Sequence, residues 1–365
     1  MTDVGPLAGV RIVEMDAIGP VPLAAMILAD LGAEIVRIAR SASAGTGAWE
    51  DVGGDILHRG RNVVHLDLKN ADDRDALLDL IERADALIEG FRPGVMERLG
   101  LGPDACMERN PRLVYGRMTG WGQTGPLAKR AGHDINYIAI TGALHALGNG
   151  DAPPPVPLNL VGDYGGGAMF LVSGLLAALL SATRTDRGQV VDACITDGVS
   201  TLMSLFYAWE PKGIWRDAPA SNLLDGAAPF YRCYRCADGR DVAVGCLEPQ
   251  FFAQMIAGLG LSTRGYDQND REGWPAMEAD FTAAFASRTR DEWAALFADT
   301  DACVTAVLSM AEAPQHVHNA ARGTLVRHEG VVQPAPAPRT LETPGAIRPR
   351  GEIDMRKALA LWSPR

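Results

Sequence analysis

The chain has 365 residues, of which 47% are apolar and 22% charged, the composition of an ordinary globular enzyme of one or two domains. Its net charge of −11 argues against a general nucleic-acid-binding protein, because no excess of lysine and arginine covers the surface. A local cluster of arginines could still bind a small anionic ligand.

The termini, apolar runs and cysteines predict neither targeting nor metal binding. The first residues lack a basic, apolar leader, so we expect no signal peptide. The longest apolar run, residues 168–180, is too short for a bilayer, so we expect no membrane insertion. Six cysteines in such a chain are expected to be free thiols in a reducing cytoplasm. The single C-x-x-C at residues 233–236 has no second pair, and the histidines lack ligand spacing, so we expect no metal site.

The first part of the chain alternates strands with helices. Strands are predicted over residues 10–15, 34–38, 63–68, 86–89 and 113–118, and helices over residues 23–31 and 71–84. Such alternation predicts an α/β fold with a doubly wound, mostly parallel Rossmann-like sheet. The first βα turn does not read G-x-G-x-x-G, so a dinucleotide cofactor is not predicted.

The later part predicts a second, smaller domain. A helix at 169–183, a strand at 189–193 and a long helix at 197–207 complete a large domain of residues 1–207. Residues 208–227 are predicted to be a linker. Residues 228–310 are predicted to form a small α+β domain, in which Asp238-Gly239 closes a hairpin and Thr289 with Glu292 caps a helix. Residues 311–365 are predicted to return to the large domain as a tail.

Basic residues recur near the predicted strand ends. Arg37 and Arg40 close strand two, Arg59 and Arg61 precede strand three, and Arg92 and Arg98 follow strand four. Ligands of open α/β sheets lie at the carboxyl ends of the strands, where arginines bind phosphates by charge-assisted hydrogen bonds. Each arginine alone is more simply a solvated surface charge, but the recurrence favours a phosphate-bearing ligand.

Residues 132–170 hold the groups most suited to chemistry. His133 can act as base or conjugate acid near neutral pH, although a lone histidine is more often a core or capping residue. Asp163 follows apolar residues, which predicts burial and a raised pKa, or else a helix N-cap. Asn159 could donate a hydrogen bond to Asp163 or end a turn. The glycines at 165–167 could let the N–H groups of Asp163 and Gly165 hold an oxyanion at a helix N-terminus.

Six stretches resemble the family III CoA-transferases, and within them the α-methylacyl-CoA racemases, over almost the whole chain. Residues 7–11, 30–34, 89–95 and 118–126 match patterns found throughout the family, which binds CoA. Residues 132–137 (GHDINY) and 159–163 (NLVGD) are similar to the racemases in particular. Asp16, Val21 and Asn62 depart from the residues that are common in relatives.

The resemblance implies a role for each of these residues. His133 and Asp163 would be the acid/base pair, Glu248 would orient His133, and Asn159 would support Asp163. The active site would lie between the large domain of one subunit and the small domain of the other in an interlocked homodimer, so Glu248 would come from the partner chain. Residues at which the resemblance implies CoA contacts are Arg40, His65, Asp67, Leu68, Lys69, Gly90, Phe91, Arg92, Arg98, Gly132, Asp134 and Tyr137.

We therefore expect a racemase or epimerase of 2-methyl-branched acyl-CoA thioesters. It would move a proton at the α-carbon through an enolate, without metal or redox cofactor, because CoA is part of the substrate. One alternative is a CoA-transferase in which Asp163 becomes an aspartyl-CoA thioester and His133 is a bystander. Another is an acyl-CoA-binding protein without turnover.

Overall fold

The computed structural model describes residues 5–40, 53–150 and 152–362. The chain divides into two compact units: Met1–Thr141, Pro157–Met203 and Gly323–Arg365 form the first, and Gly142–Val156 with Ser204–Arg322 the second. These boundaries differ from the predicted ones. Residues 208–227, predicted as a linker, belong to the second unit, as do an insertion at 142–156 and the start of the predicted tail.

The described residues form twelve strands and fifteen α-helices, numbered in chain order. The strands are β1 (Arg11–Met15), β2 (Glu34–Arg40), β3 (Arg61–Leu66), β4 (Ala86–Glu89), β5 (Val114–Thr119), β6 (Val190–Cys194), β7 (Tyr231–Arg235), β8 (Asp241–Gly245), β9 (Val304–Ala306), β10 (Leu325–His328), β11 (Val331–Pro334) and β12 (Gly351–Glu352). The helices are α1 (Pro20–Asp30), α2 (Gly54–Leu57), α3 (Ala71–Ile81), α4 (Val95–Arg98), α5 (Pro103–Arg109), α6 (Asp134–Ala139), α7 (Ala143–Ala146), α8 (Met169–Thr185), α9 (Ile195–Leu202), α10 (Ser204–Trp209), α11 (Pro249–Gly258), α12 (Trp274–Phe285), α13 (Arg290–Phe297), α14 (Val317–Arg322) and α15 (Met355–Leu361). A π-helix, Leu160–Ala168, directly precedes α8.

A seven-stranded sheet organises the first unit. Its strand order is β12-β3-β2-β1-β4-β5-β6, and every neighbouring pair is parallel. The predicted doubly wound, parallel α/β sheet is therefore confirmed. Strand order reverses around β1, which pairs with β2 on one side and β4 on the other, so a ligand crevice is expected at the carboxyl ends of β1 and β4.

The C-terminal segment completes this unit. Trp362 is buried in the same core as Val13, Leu77 and Tyr115, and its Nε1 donates to Oε2 of Glu34 at 2.9 Å. A guanidinium nitrogen of Arg348 donates to the carbonyl oxygens of Ala29 (2.5 Å) and Ala33 (2.6 Å), which ties the C-terminal segment to the end of α1 and to the residues that follow it. The tail thus returns to the first unit from Gly323 onward and adds β12 to the sheet.

The π-helix and α8 together form the longest helix of the described residues. Leu160–Thr185 spans 26 residues, with hydropathy of 1.8 in its most apolar window, so by length and composition it could cross a membrane. The prediction from residues 168–180 alone underestimated this length. Leu171 and Leu175 are fully buried, and both approach Gly116 of β5, as in the core helix of an α/β unit.

The second unit contains an antiparallel sheet of order β7-β8-β9. The hairpin of β7 and β8 confirms the prediction from Asp238-Gly239, and the capping box of Thr289 and Glu292 opens α13 as expected. The sequence pattern missed α11, and the single helix predicted over 197–207 is two helices that separate at Met203.

Candidate active site

Two loops meet where the strand order reverses. Gly90 follows β4, and a Cβ added there would lie 2.9 Å from Cβ of Ala17, in the turn between β1 and α1, and 3.0 Å from Cγ2 of Val21, at the start of α1. A side chain at position 90 would therefore separate the two loops. Gly90 keeps them in contact at the predicted crevice.

The predicted CoA-contacting residues of β2 to α4 lie at this carboxyl edge of the sheet. Arg40 ends β2 and is exposed, and its carbonyl oxygen accepts from Nδ1 of His65 at 2.8 Å. The remaining residues follow β3 (Asp67, Leu68, Lys69) or β4 (Gly90, Phe91, Arg92, Arg98). The N–H of Lys69 donates to Oδ1 of Asp67 at 3.0 Å, which fixes the turn before α3. Their contact with CoA stays a prediction.

Three of the other arginines that were predicted to favour a phosphate are buried in ion pairs. Arg37 pairs with Asp16 at 2.5 Å, Arg59 with Asp30 at 2.5 Å, and Arg61 with Glu14 at 3.0 Å. Arg61 also donates to the carbonyl oxygen of Pro22 in α1. The side chains of these three arginines are at most 4% exposed, so the phosphate interpretation of the three is wrong. Asp16 balances the Arg37 charge.

The GHDINY motif is a compact turn at the start of α6. His133 is the N-cap and forms a capping box with Asn136, whose Oδ1 accepts from the His133 N–H at 3.0 Å. The Tyr137 hydroxyl donates to the Gly132 carbonyl oxygen, and the Tyr137 ring stacks edge-on against Trp121. A Cβ at Gly132 would collide with both rings. The capping interpretation of His133 is confirmed, and its side chain is exposed.

The next residue of the motif, Asp134, faces the NLVGD segment. Its Oδ1 accepts from the N–H of Asp163 at 2.6 Å and also from the N–H of Gly162. A Cβ on Gly162 would lie 2.3 Å from the same oxygen, which requires glycine there. Asp134 is only 9% exposed, and its Oδ1 is engaged by the π-helix; its contact with CoA stays a prediction.

Asp163 lies in the first turn of the π-helix, beside the start of α1. The N-cap is Asn159, so the N-cap interpretation of Asp163 is wrong. A Cβ on Gly19, the N-cap of α1, would lie 3.2 Å from Oδ2 of Asp163. Gly19 has φ 72°, a conformation that glycine adopts readily, and so brings the backbone close to the carboxylate.

The surroundings of Asp163 raise its pKa to about 6. Burial is the largest cause, because it disfavours the charged form, and the nearby Asp134 carboxylate acts in the same direction. A hydrogen bond from Asn159 and the charge of His133 both lower this pKa. The structure thus brings together His133, Asn159 and Asp163, and the predicted burial and raised pKa of Asp163 are confirmed.

Glu248 lies in the second unit. It is the exposed N-cap of α11, three residues after the end of β8. Its backbone carbonyl oxygen accepts from the N–H groups of Phe251 and Phe252, each at 3.0 Å. Its predicted role in orienting His133 stays a prediction.

The predicted oxyanion donors do not fit the structure. The N–H of Asp163 is already bonded to Asp134, and Gly165 lies beyond the first turn of a π-helix, where N–H groups bond to carbonyls five residues earlier. The glycines serve packing instead. A Cβ on Gly166 would lie 2.4 Å from Cγ2 of Val199, and a Cβ on Gly198 would lie 1.9 Å from the Gly166 carbonyl oxygen.

Two residues near the crevice were missed. Gly19 contacts Asp163 as described, and Glu89 is a fully buried acid at the end of β4. An acidic residue that ends an apolar strand directly before Gly90 was a signal for Glu89. Burial raises the pKa of Tyr137, the charge of Asp163 raises it further and Arg92 lowers it, so these three side chains share one electrostatic environment.

Comparison with known proteins gives a single family. A model of CoA-transferase family III matches residues 7–351. The α-methylacyl-CoA racemases of Mus musculus and Homo sapiens are each 43% identical over 340 residues, which cover 93% of this chain and 87% of the relative. A crystal structure of Rv3272 from M. tuberculosis shares the fold, with a TM-score of 0.82, 23% identity and coverage of 99% of this chain and all of that chain.

Proposed function

The chain belongs to CoA-transferase family III, and from that premise we propose that it is an isomerase, a racemase or epimerase of 2-methyl-branched acyl-CoA thioesters. The observation that carries the proposal is the pairing of His133 with a half-buried Asp163 whose pKa is about 6. At that pKa Asp163 can hold or release a proton near neutral pH, and imidazole is a side chain that can serve as base or as conjugate acid, as exchange at a single carbon requires.

The proposed reaction is a proton transfer between two bases. For one enantiomer Asp163 removes the α-proton as a carboxylate, and His133 returns a proton to the opposite face. For the other enantiomer the roles exchange, so neutral His133 is the base and protonated Asp163 the acid. No metal or redox step is needed, because the bond broken and the bond formed are both C–H bonds at the α-carbon.

The enolate between these steps needs stabilisation of its negative charge. We assign this to the N-terminus of α1, since Gly19 at its N-cap adjoins Asp163 and the helix dipole is positive there. Pro20 and Pro22 carry no N–H, so Val21 supplies the donor of the first turn. Asn159 supports Asp163 through its hydrogen bond, and Glu248 is assigned to His133.

CoA would lie along the carboxyl edge of the sheet. Arg40, Arg92 and Arg98 are exposed there, unlike the ion-paired arginines beneath them, and suit the phosphates of CoA. The Tyr137 ring packs against Gly120, which follows β5, and so brings the turn before α6, with Gly132, to this edge.

A homodimer is part of the proposal. The surface of the π-helix and of its neighbours α6 and α9 carries large exposed apolar side chains, which often mark protein–protein contacts. They are Ile140, Leu158, Leu160, Met169 and Leu202.

All six cysteines are free thiols, which supports a reducing compartment such as the cytoplasm.

Proton NMR of one enantiomer of a 2-methylacyl-CoA in D₂O, without an acceptor acid, tests the proposal. The expected result is loss of the α-proton signal together with racemisation. His133→Ala and Asp163→Asn should each slow racemisation by about 10²–10⁴-fold. Matched controls are His145→Ala and Asp186→Asn, which change exposed residues outside the site.

A persistent α-proton, with CoA moving only after a free carboxylic acid is added, would instead identify a transferase in which Asp163 is the nucleophile. Binding without any reaction would identify an acyl-CoA-binding protein.

A further inference from the structure

We infer that Asp134 is the positioning residue for Asp163: its carboxylate holds the first turn of the π-helix, and its negative charge faces the Asp163 carboxyl group. This inference rests on the proposed function, because it concerns how that acid/base group is prepared for both directions of the reaction. It assigns to Asp134 a role different from the CoA contact implied by resemblance.

The geometry makes Asp134 the link between the two halves of the site. Asp134 is the first residue of α6, directly after the N-cap His133, so one turn of chain carries both His133 and the anchor for Asp163. The 2.6 Å hydrogen bond from the Asp163 N–H joins residues 29 positions apart. Gly162 leaves the space that this contact needs. A shift of Asp134 would therefore move Asp163 relative to His133.

The second oxygen of Asp134 makes no hydrogen bond to the described residues that would account for a charged side chain here. Oδ2 is buried and has no hydrogen-bond partner among the described residues. A buried oxygen without a donor costs free energy, and a neutral side chain would avoid part of this cost. A carboxylate at this position is accounted for if its negative charge acts on a neighbouring group.

That neighbour is Asp163. Burial raises the pKa of Asp163 first, and Asp134 raises it further, to about 6, so Asp163 is available both as acid and as base. The charge of His133 lowers the pKa of Asp163. Burial raises the pKa of Tyr137, and the charge of Asp163 raises it further. The other titratable groups on the elements packed against the π-helix are Asp192 and Cys194 of β6, Asp197 of α9, Asp30 of α1 and Arg184 of α8.

Asp134→Asn tests the inference, because the amide oxygen can still accept the two N–H groups while the charge is lost. The expected result is a pH profile displaced to lower pH. For the enantiomer that needs Asp163 as base, the acidic limb of the kcat/KM profile should shift to lower pH. For the other enantiomer, which needs Asp163 as acid, the basic limb should shift to lower pH. The KM for the thioester should stay unchanged. An unchanged profile in both directions would overturn the inference and leave Asp134 a purely structural residue.

An infrared titration gives a readout independent of turnover. The carboxyl band of Asp163, identified as the difference between wild type and Asp163→Asn, should titrate at lower pH in Asp134→Asn. If Asp134→Asn does not fold, Asp134→Ser serves in its place, since it also removes the charge. If the wild-type protein exchanges no α-proton, the proposed function fails, while the infrared titration still decides the effect of Asp134 on Asp163.

Discussion

The backbone N–H of Phe91 donates to Oε2 of Glu89 at 2.7 Å, across the turn that leaves β4. The other oxygen of Glu89 accepts from Nε of Arg117 at 3.1 Å, and Arg117 also pairs with Glu97 of α4 at 2.8 Å. Burial nevertheless raises the pKa of Glu89 to about 7, because it outweighs these two hydrogen bonds. A carboxyl group that titrates near neutral pH therefore shapes the loop with Gly90 and Arg92.

This pKa predicts a loss of stability as pH rises. The folded protein binds a proton at Glu89 that the unfolded chain, with an ordinary pKa of 4.5, has already released. Stability should therefore decrease between about pH 4.5 and pH 7 on account of this group. Glu89→Gln should remove that decrease, which urea unfolding of both proteins across this range would measure. Parallel curves for the two proteins would contradict it.

His58 predicts the opposite pH dependence. Burial, with a further contribution from the charges of Arg37, Arg61 and Arg350, lowers its pKa to about 3. The unfolded chain then binds a proton at His58 that the folded protein does not, so stability should decrease as pH falls from about 6.5 toward 3. His58→Asn should flatten this part of the curve. The exposed His145→Ala is the control and should follow wild type.

The contact between the π-helix and α9 predicts that glycine is required at position 198. An added Cβ would lie 1.9 Å from the Gly166 carbonyl oxygen, which cannot move without shifting the helix that carries Asp163. Gly198→Ala should destabilise the protein by about 1–3 kcal/mol or more. Thermal unfolding measures this, with Gly245→Ala as control, since its new Cβ would meet only the Tyr231 ring at 3.9 Å. Equal midpoints for the two variants would refute the prediction.

Mixing subunits tests the proposed sharing of the active site. Asp163→Ala and Glu248→Ala homodimers should each be nearly inactive. If Glu248 acts on the His133 of a partner, one site of every mixed dimer has both wild-type residues, and unfolding and refolding the mixture should recover up to about a quarter of full activity. If both residues act within one chain, the mixture should stay inactive.

The sheet could be predicted because its evidence is local. Apolar runs such as residues 86–89, bounded by turns and alternating with helical periods, determine parallel strands without knowledge of distant contacts. The stretches with His133 and Asp163 were also found, because titratable residues beside glycines in an apolar setting are visible in the sequence.

The predictions that were wrong concerned residues whose contacts are made with residues far away in the sequence. Arg61 looked like a phosphate ligand until its pairing with Glu14, 47 positions away, was known. The glycines at 165–167 looked like an anion site until Val199 and Gly198 were seen against Gly166. The π-helix itself could not be predicted, because hydrophobic periodicity does not separate it from the α-helix that follows.

The central claim is that His133 and Asp163 are bases on opposite faces of one α-carbon. The most direct test incubates each pure enantiomer of a 2-methylacyl-CoA with His133→Ala and with Asp163→Asn in D₂O. We predict that each variant exchanges the α-proton of one enantiomer only, without inversion, and that the two variants retain activity toward opposite enantiomers. Racemisation by either variant at the wild-type rate would contradict the two-base account. So would α-proton exchange by both variants on the same enantiomer.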